Sequence, residues 1–454
     1  MTERTVHVTF RVSRAFRAAA ETAETIRRAG FPAMLVGGCV RDLLNGTEPA
    51  DFDLVTAARP EELQTLFDDC RLVGAGFGVS LVRRDGFEFE VATAREERNY
   101  LDGRHPELVR YTGDLALDAM RRDFTVNALR YDPASETVYD SVGGLDDLER
   151  GIIRTVGDAE ARFGEDYLRM LRAVRFAARF RFEIEPGTWR AIRKLSNRCS
   201  RLAGERIHGE LTRMLTGRDP ARAMELLLSC GILEAVLPEA AALAGVTQPP
   251  DFHPEGDVWQ HTMQMLGHMA FPDAVLAWSV LLHDIGKPAT RTVDPDGRIR
   301  FFSHETVGAE LVRVIAERLR FSGAECDAVE HAVRNHMRFA AVREMRSGKL
   351  RRMAAEPNFA LELELHRLDC IACHGMMEGF VFLLDRLRET PAAALPAPWV
   401  TGGVLVRAGC RPGPAFRPVL EQVFDAQLGG AVATPEEAER LALALYARMA
   451  GKDI

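Results

Sequence analysis

The chain has 454 residues, of which 47% are hydrophobic, and a formal net charge of −8 at pH 7. This length predicts about three domains with sizeable cores, and the negative balance excludes indiscriminate nucleic-acid binding over the whole surface. The N-terminal residues contain no apolar segment, and no run approaches about 18 uninterrupted apolar residues. We therefore expect neither secretion nor a membrane span, and a cytoplasmic protein.

Cysteine usage and local charge add two expectations. The eight cysteines are scattered without a framework spacing, which is typical of reduced thiols. Between residues 161 and 222, 15 Arg or Lys stand against 7 Asp or Glu. An RNA-binding surface is expected there, and a solvated helical face is the alternative.

The first predicted elements are a helix over residues 16–29 and a strand over residues 34–36. Gly37 and Gly38 follow the strand and allow backbone amides to approach an anion closely. Arg41 offers a fork of donors that suits a phosphate group. This part of the chain predicts an anion-binding turn.

Asp51 and Asp53 stand one residue apart. In a strand, alternation sends both carboxylates to one face and leaves Phe52 and Leu54 for the core. Neighbouring carboxylates repel each other unless a cation bridges them, and Mg²⁺ prefers one or two carboxylates together with waters and substrate phosphates. The pair and the upstream turn predict metal-dependent phosphoryl or nucleotidyl transfer, whereas an isolated Asp-x-Asp is usually a solvated turn.

The string Gly-Gly-x-Val-Arg-Asp, followed by Asp-Phe-Asp, resembles the head of the class II tRNA nucleotidyltransferase and bacterial poly(A) polymerase family. That family belongs to the polymerase-beta-like nucleotidyltransferases. The resemblance implies a small mixed-sheet head in which Asp51 and Asp53 hold a catalytic Mg²⁺. It also implies that Gly37, Gly38 and Arg41 bind the nucleotide.

Alternation between residues 73 and 91 predicts two further strands joined by a turn at Asp85-Gly86. Glu88 and Glu90 share one face of the second strand. Glu90 is therefore a candidate third catalytic carboxylate, and an exposed edge glutamate is the alternative. The glycine-rich segment 74–78 lacks the third fingerprint glycine and precedes a strand, which excludes a dinucleotide-binding motif.

Residues 95–120 show little hydrophobic period and are predicted to form a long functional or disordered loop. The resemblance implies that a flexible loop here helps to switch between nucleotides. After it, Arg122 can contact a triphosphate, and Asp123 and Asn127 can hydrogen-bond a ribose. This stretch is nearly the family's second signature.

A helix is predicted over residues 165–175, with Asp166, Arg169, Arg172 and Arg175 along one slowly turning face. A carboxylate one turn from a guanidinium suits the polar edge of a base, and an intrahelical salt bridge is the alternative. The string Glu-Asp-x-x-Arg resembles the family's template helix. The resemblance implies that Asp166 and Arg169 select the incoming ATP or CTP.

A second constellation follows the proline-rich break at residues 249–254. It consists of histidines and aspartates, namely His261, His283, Asp284, His304, His336 and Asp369. This donor mix suits a divalent ion, and an open site would activate water for hydrolysis. The order of these residues, with the string His-Asp-Ile-Gly-Lys-Pro, resembles the HD phosphohydrolase superfamily. The resemblance implies one or two divalent transition metals or Mg²⁺, and it leaves the choice between His331 and His336 open.

The string Cys370-Ile-Ala-Cys373-His374 spells a haem-attachment motif. The absence of a signal segment and the helical, leucine-rich surroundings indicate coincidence. A zinc site would need a second cysteine pair, which the sequence lacks.

The expected fold class is α/β plus all-α, with four domains. They are a nucleotidyltransferase head (1–145), a helical neck with the nucleotide-selecting helix and RNA-binding region (146–250), an HD domain (251–385) and a helical tail (386–454).

The resemblance implies a template-independent enzyme that adds CMP and AMP, from CTP and ATP, to the 3′ end of tRNA and releases pyrophosphate. A-only addition and poly(A) synthesis share these motifs, and the segment 95–120 favours full CCA addition. Two rival hypotheses are that the HD domain is the working enzyme, as a phosphohydrolase on RNA ends or nucleotides, and that the protein is a non-catalytic RNA chaperone.

Overall fold

The structure is a computed structural model of the chain. It describes residues 3–73, 78–100, 106–249, 256–270, 272–339, 342–373, 375, 377–388 and 395–450, and the side chains of 96–100 and 106–109 lie outside this description. The chain forms two compact units, Met1–Pro238 and Glu239–Ile454. Within the described residues, no helix is long and apolar enough to cross a bilayer.

The first unit contains a mixed sheet at its N-terminal end. The described strands of this unit are β1 (Arg4–His7), β2 (Ala33–Val36), β3 (Asp53–Thr56), β4 (Cys70–Val73), β5 (Val79–Arg84), β6 (Phe87–Thr93), β7 (Arg95–Tyr100), β8 (Pro106–Tyr111), β9 (Arg130–Asp132), β10 (Thr137–Asp140), β11 (Ile152–Ile153) and β12 (Glu183–Ile184). Eight of them form one sheet in the order β1-β10-β9-β2-β3-β6-β5-β4. In this sheet β3 and β6 are parallel, and the other neighbouring pairs are antiparallel.

The predicted hairpin is confirmed. β5 and β6 pair in antiparallel register, and Asp85 and Gly86 between them have φ angles of 51° and 83°. Positive φ at both central residues is the geometry that a two-residue hairpin turn requires. Phe89 is buried, as the alternation predicts.

The prediction of a long loop over residues 95–120 is wrong for the part that the structure describes. β7 and β8 form an antiparallel ribbon, and a helix, Leu115–Met120, follows. Ladder hydrogen bonds hold such a ribbon whatever the hydrophobic period of its side chains, so periodicity is a poor guide here. Residues 101–105 lie outside the described part of the chain.

Helices complete the first unit. They are α1 (Arg14–Arg28), α2 (Gly38–Leu44), α3 (Pro60–Leu66), α4 (Leu115–Met120), α5 (Gly144–Arg150), α6 (Ala159–Glu165), α7 (Leu168–Phe180), α8 (Pro186–Leu195), α9 (Gly204–Leu215), α10 (Pro220–Ser229) and α11 (Ile232–Val236), with 3₁₀ turns at Thr125–Asn127 and Ser196–Arg201. The predicted helix over 16–29 is confirmed as α1.

The core of the sheet domain places the acidic pair at its surface. Leu35 on β2 and Leu54 on β3 are fully buried, and Phe52 lies among the same core residues. Burial of each such side chain contributes about 1.5–3 kcal/mol. Because Phe52 and Leu54 are fixed inward, Asp51 and Asp53 are fixed toward the opposite side of the chain.

Gly144 at the start of α5 provides a test of packing. A Cβ atom there would lie 2.2 Å from the carbonyl oxygen of Thr125, which begins the 3₁₀ turn after Arg122. We expect Gly144→Ala to destabilise the protein by about 1–3 kcal/mol, because the backbone has to shift. Thermal unfolding measures this, with Gly164→Ala as the matched control, since nothing lies within 4 Å of a Cβ at Gly164. Equal melting temperatures for the two variants would contradict the prediction.

The second unit is mainly helical. Its described elements are α12 (Pro238–Ala241), which begins at the last residue of the first unit, α13 (Val258–Gly267), α14 (Ala274–Leu282), α15 (Lys287–Thr290), α16 (His304–Leu319), α17 (Gly323–Asn335), α18 (Ser347–Ala354), α19 (Phe359–Cys373), α20 (Glu378–Arg388), α21 (Gly402–Arg407), α22 (Phe416–Leu428) and α23 (Pro435–Ala450), with the hairpin strands β13 (Arg291–Val293) and β14 (Ile299–Phe301) and 3₁₀ turns at His336–Phe339 and Val342–Glu344.

Candidate functional site

Three carboxylates converge at the start of β3, which lies in the interior of the sheet. Asp53 is the first residue of β3 and pairs in register with Glu90 on the parallel strand β6. Asp51 precedes the strand by two residues and is exposed, as is Glu90. Burial, and then the charge of Asp51, raises the pKa of Asp53 to about 6, with Glu90 adding to the shift and Arg122 opposing it. An oxygen-rich group of this kind matches the donors that Mg²⁺ prefers, so the residues fit the metal.

Glu88 and Glu90 have different surroundings. Glu88 accepts a 2.8 Å hydrogen bond from Nε of Arg83 on the neighbouring strand, and both side chains are about half exposed. Glu90 lies beside Asp53. This register favours Glu90 over Glu88 as a third acidic residue of the site.

Gly37 and Arg122 meet beside this acidic group. Gly37 has a φ of 81°, and a Cβ on it would lie 2.8 Å from Nη1 of Arg122. The guanidinium of Arg122 also lies 3.4 Å from Asp118, and its charge acts on Asp53. Arg122 is thus held between the glycine turn and the carboxylates, where the phosphates of a metal-bound nucleotide would lie.

We expect Gly37→Ala to lower nucleotide incorporation on the order of 100-fold, because the added methyl group displaces Arg122 from its position. Gly46→Ala is the matched control, since Gly46 also has a positive φ of 69° but has no atom within 4 Å of a Cβ. Steady-state incorporation of labelled ATP measures both variants. Equal losses would show that backbone strain alone accounts for the effect.

Arg41 is buried, and its guanidinium group is hydrogen-bonded to neighbouring side chains. Its Nε and Nη2 donate to Oδ1 of Asp42 at 2.8 and 2.7 Å, and its Nη1 donates to Oδ1 of Asn127. The guanidinium lies 4.4 Å from the ring centre of Phe180. A direct phosphate contact would need these bonds to rearrange, so the role predicted for Arg41 stays a prediction.

A hydrogen-bond chain connects the head to α7. Asn127, which accepts from Arg41, donates through Nδ2 to Oδ1 of Asp123 at 3.1 Å, and Nε of Arg172 donates to Oδ2 of Asp123 at 2.8 Å. Burial by itself would raise the pKa of Asp123, but Arg172 and the Asn127 hydrogen bond hold it below its usual value. This series of hydrogen bonds orients Arg41, Asn127, Asp123 and Arg172, all predicted to bind the nucleotide, as one group.

The prediction that Asp166 shares one helix with Arg169 is wrong. α6 ends at Glu165, Asp166 lies in the break, and α7 begins at Leu168. The carboxylate of Asp166 accepts from the backbone N–H of Leu168 at 3.1 Å, as a capping residue does. Hydrophobic spacing continues through both helices, which is why periodicity did not show the break.

Asp166 and Arg169 pair with other residues than each other. Nη1 and Nη2 of Arg206 on α9 donate to the two oxygens of Asp166 at 3.1 and 2.7 Å. Arg169 donates to Glu165 and, at 2.9 Å, to the carbonyl oxygen of Arg162. The intrahelical salt bridge weighed for Asp166 and Arg169 is therefore not the arrangement in the structure.

These side chains surround an open cleft of about 320 Å³. It is lined by Arg121, Arg122, Asp123, Asp166, Leu168, Arg169, Arg172 and Arg206. Arg175 lies elsewhere: its Nε donates to Glu210 at 2.6 Å, and it lines a neighbouring cavity. The cleft brings together five of the residues predicted to bind the nucleotide.

The six residues of the second constellation form two adjacent triads. The first triad is His261, His283 and Asp369, and the second is Asp284, His304 and His336. Within each triad the potential ligand atoms lie within 4.8 Å of one another. His283 and Asp284 are neighbours in sequence, and their Nε2 and Oδ2 atoms lie 3.1 Å apart, so the triads are contiguous.

Backbone carbonyls orient three of these histidines. Nδ1 of His283, His304 and His336 lies 2.9, 2.8 and 2.6 Å from the carbonyl oxygen three residues earlier. A proton on Nδ1 that is donated to a carbonyl leaves Nε2 as the metal ligand. Nε2 of His304 and of His336 are only 3.2 Å apart. Imidazole nitrogens that face one another beside carboxylates are a donor set that fits a divalent metal.

The structure separates His336 from His331. His336 is buried in the second triad, whereas Nδ1 of His331 lies 2.7 Å from Oε1 of Glu362, in a different cluster. The sequence leaves the choice between these two histidines open, and the geometry favours His336 as a potential metal ligand. Burial lowers the pKa of His336 to about 4, so its imidazole is neutral at physiological pH.

Three family models match successive parts of the chain. They describe a poly(A) polymerase head domain at residues 33–154, a probable RNA- and SrmB-binding site of polymerase A at residues 181–243, and an HD domain at residues 257–369. A protein named A-adding tRNA nucleotidyltransferase from Deinococcus radiodurans is 35% identical over 438 residues, which are 90% of this chain and 94% of that protein.

The chain belongs to the tRNA nucleotidyltransferase and poly(A) polymerase family. A CCA-adding enzyme from Ligilactobacillus salivarius, also in this family, is 41% identical over 213 residues, which cover 47% of this chain and 52% of that enzyme. The predicted family is therefore confirmed.

Solved structures of family members share the fold. The Bacillus stearothermophilus CCA-adding enzyme in complex with CTP matches with a TM-score of 0.68 and 25% identity, over 98% of this chain and 100% of that one. The Thermotoga maritima CCA-adding enzyme complexed with tRNA matches with a TM-score of 0.59 and 19% identity, over 96% of each chain. The predicted fold class, with a mixed-sheet head, helical regions and an HD domain, is confirmed.

Sequence reasoning missed Arg206 as a residue of the cleft. Arg206 holds Asp166 bidentately at the cleft. Its place in the string Glu-Arg-Ile-His-Gly, within the positively charged region 161–222, was the available signal. Lys287, which belongs to the string His-Asp-Ile-Gly-Lys-Pro, is buried beside the second triad, with Nζ 2.6 Å from Oδ2 of Asp284.

The raised pKa of Asp53 gives a pH prediction. A carboxyl with a pKa of about 6 in the metal-free protein is protonated below that pH, and the protonated form cannot bind Mg²⁺. We expect the Mg²⁺ concentration for half-maximal nucleotide incorporation to rise about tenfold for each pH unit below 6, and to be nearly constant above pH 7. Mg²⁺ titrations at pH 5 and 7.5 measure this, and equal requirements would contradict it.

Proposed function

We propose that this protein is a template-independent nucleotidyltransferase that adds CMP and AMP to the 3′ end of tRNA and releases pyrophosphate. The observation that carries the proposal is the group of Asp51, Asp53 and Glu90 at the start of β3, with Arg122 beside it. This arrangement is what transfer of a nucleotidyl group from a metal-bound triphosphate requires.

In this proposal Asp51 and Asp53 hold Mg²⁺ and Glu90 completes the acidic group. When bound, the metal would lower the pKa of the RNA 3′-hydroxyl and stabilise the leaving pyrophosphate. Arg122, fixed by the close approach of Gly37, would bind the triphosphate. Asp123 and Asn127 would orient the ribose through the chain of hydrogen bonds that ends at Arg172.

The incoming base would meet Asp166, Arg169 and Arg206 in the cleft. Their acceptors and donors are now satisfied by one another and by neighbouring groups. A base that exchanges hydrogen bonds with them would be selected by its polar edge, without a nucleic-acid template.

Exposed arginines on α8 and the following 3₁₀ turn support RNA binding in the neck. Arg190, Arg193 and Arg201 are exposed and Arg198 is partly exposed, and none forms an ion pair with any residue that the structure describes. They fall within the region matched to the RNA-binding family model. We propose that they contact phosphates of the tRNA acceptor end.

The proposed domain division keeps the predicted boundaries, with a head over 1–145, a neck over 146–250, an HD domain over 251–385 and a tail over 386–454. The matched HD region, 257–369, lies within the proposed HD domain, whereas the matched head region, 33–154, extends past residue 145 into the proposed neck. A cytoplasmic location stays a prediction.

A-only addition is a second candidate activity. The relative that aligns over 94% of its length carries the name A-adding tRNA nucleotidyltransferase. The chemistry at the acidic group is the same, and the difference lies in whether CTP is accepted and when addition stops.

We further propose that the HD domain hydrolyses phosphate esters on RNA ends or nucleotides with one or two divalent metals. The two contiguous triads support it, because such a pair of sites can clamp a phosphate between two ions. This would be an activity separate from nucleotide addition.

One experiment tests the principal proposal. Labelled CTP and ATP are supplied separately and together, with Mg²⁺, to tRNA ending at the discriminator base, tRNA ending in CC, and an unrelated RNA. Ordered entry of both nucleotides that stops at CCA supports CCA addition. Extension by ATP of tRNA ending in CC alone indicates A-only addition, long tails on any RNA indicate poly(A) synthesis, and no incorporation overturns the proposal.

A further inference from the structure

One thiol contacts two members of the first HD triad. Cys373, the last residue of α19, lies with Sγ 3.5 Å from Oδ1 of Asp369, one turn earlier. The same Sγ lies 3.9 Å from Nδ1 of His261 on α13. Both distances suit hydrogen bonds of a sulfur atom. The thiol therefore contacts two potential metal ligands.

His261 differs from the other three histidines in its Nδ1 contact. In His283, His304 and His336 this atom faces the backbone carbonyl three residues earlier. In His261 it faces Cys373, while Nε2 lies 3.2 Å from Oδ1 of Asp369. A sulfur acceptor for the Nδ1 proton makes Nε2 the potential metal ligand, which is the role that the carbonyls play elsewhere in the site.

We propose that Cys373 is a positioning residue of the first HD triad. Its sulfur accepts the Nδ1 proton of His261 and fixes the imidazole tautomer, and its S–H donates to Asp369 and fixes that carboxylate. The CxxCH string of the sequence thus contains a residue that orients metal ligands. This inference rests on the proposed metal-dependent function of the HD domain.

The test compares three variants of the full-length chain, each carrying Asp53→Asn so that the head does not bind the metal probe. Cys373→Val keeps the shape but removes the hydrogen bonds, and Cys373→Ser restores them. Cys370→Val is the matched control, because Cys370 lies on the same helix with Sγ 3.6 Å from Nε2 of His366, outside both triads. Mn²⁺ affinity and stoichiometry are measured by calorimetry, and thermal unfolding checks folding.

We expect Cys373→Val to weaken binding of one Mn²⁺ about 10- to 100-fold, while Cys373→Ser and Cys370→Val bind as the parent does. Unchanged Mn²⁺ affinity in Cys373→Val would overturn the inference. So would an equal loss in Cys370→Val, since that would indicate a general effect on the helix.

A second readout does not depend on metal or activity. In ¹H–¹⁵N spectra of the metal-free protein, the Nδ1 proton of His261 should exchange slowly with solvent in the parent and in Cys373→Ser, and faster in Cys373→Val. Equal exchange rates in the parent and Cys373→Val would overturn the inference. If the parent binds no Mn²⁺ at the HD site, the proposed hydrolase function fails, and the exchange of the His261 Nδ1 proton alone decides the role of Cys373.

Discussion

Asp53→Asn should lower the rate of nucleotide incorporation on the order of 1000-fold, which corresponds to a loss of about 4 kcal/mol of transition-state stabilisation. The change removes one negative charge and keeps the size of the side chain. Substitution of Asp53 is expected to have the largest effect on this rate because Asp53 lies beside Asp51 and Glu90 and interacts with the charge of Arg122. Single-turnover incorporation of ATP into tRNA ending in CC at saturating Mg²⁺ measures the loss.

The control for this prediction lies on the neighbouring strand. Glu88→Gln removes a carboxylate two residues from Glu90, but its partner Arg83 is an exposed strand residue, and such surface pairs contribute little. We expect this variant to incorporate nucleotides at the parent rate with an unchanged melting temperature. If Asp53→Asn retained activity within tenfold of the parent, the acidic group would not be the site of catalysis.

The second large effect is expected in the HD domain. Asp284→Asn should abolish binding of Mn²⁺ at the second triad and lower metal-dependent hydrolysis of bis-p-nitrophenyl phosphate at least about 100-fold. Asp284 lies within 3.1 Å of His283 and within 3.4 Å of His304. Burial by itself would raise its pKa, but the charges of His283 and Lys287 hold it well below the usual range, so it is a carboxylate at neutral pH.

Loss of the Asp284 charge also leaves buried Lys287 without its 2.6 Å ion-pair partner, which can destabilise the unit. The double variant Asp284→Asn, Lys287→Met removes both charges and separates metal binding from folding. Asp294→Asn is the surface control, because its pair with Arg300 is about one third exposed. Nucleotide addition should persist in all three variants. Its loss together with hydrolysis would favour the hypothesis that the HD domain is the working enzyme.

Local patterns predicted the elements that carry the sites. The alternation around Phe52 and Leu54 is a property of neighbouring residues, and so is the helical spacing of α1, which was predicted over residues 16–29. The members of the acidic pair, and those of the His-Asp pair, are separated by at most two residues in the sequence. Their proximity therefore needs no long-range contact. These features follow from the sequence because backbone geometry fixes them within a few residues.

Pairing between distant segments could not be predicted in the same way. Glu90 lies beside Asp53 only because β3 and β6 are parallel neighbours. Arg206 reaches Asp166 from another helix, across 40 residues of sequence. Likewise, Cys373 meets His261 across 112 residues. The periodicity of hydrophobic residues does not indicate which residues so far apart in the sequence will be in contact.

The sequence by itself determined the family, the acidic pair at the start of a strand and the ligand types of the HD site. The tertiary structure decided which glutamate lies beside Asp53, that His336 lies in a triad of potential metal ligands, and that Asp166 lies in a helix break. The physical reason is that residue type and short spacing are set by local geometry. Choices among chemically equivalent side chains depend instead on which strands and helices pack together.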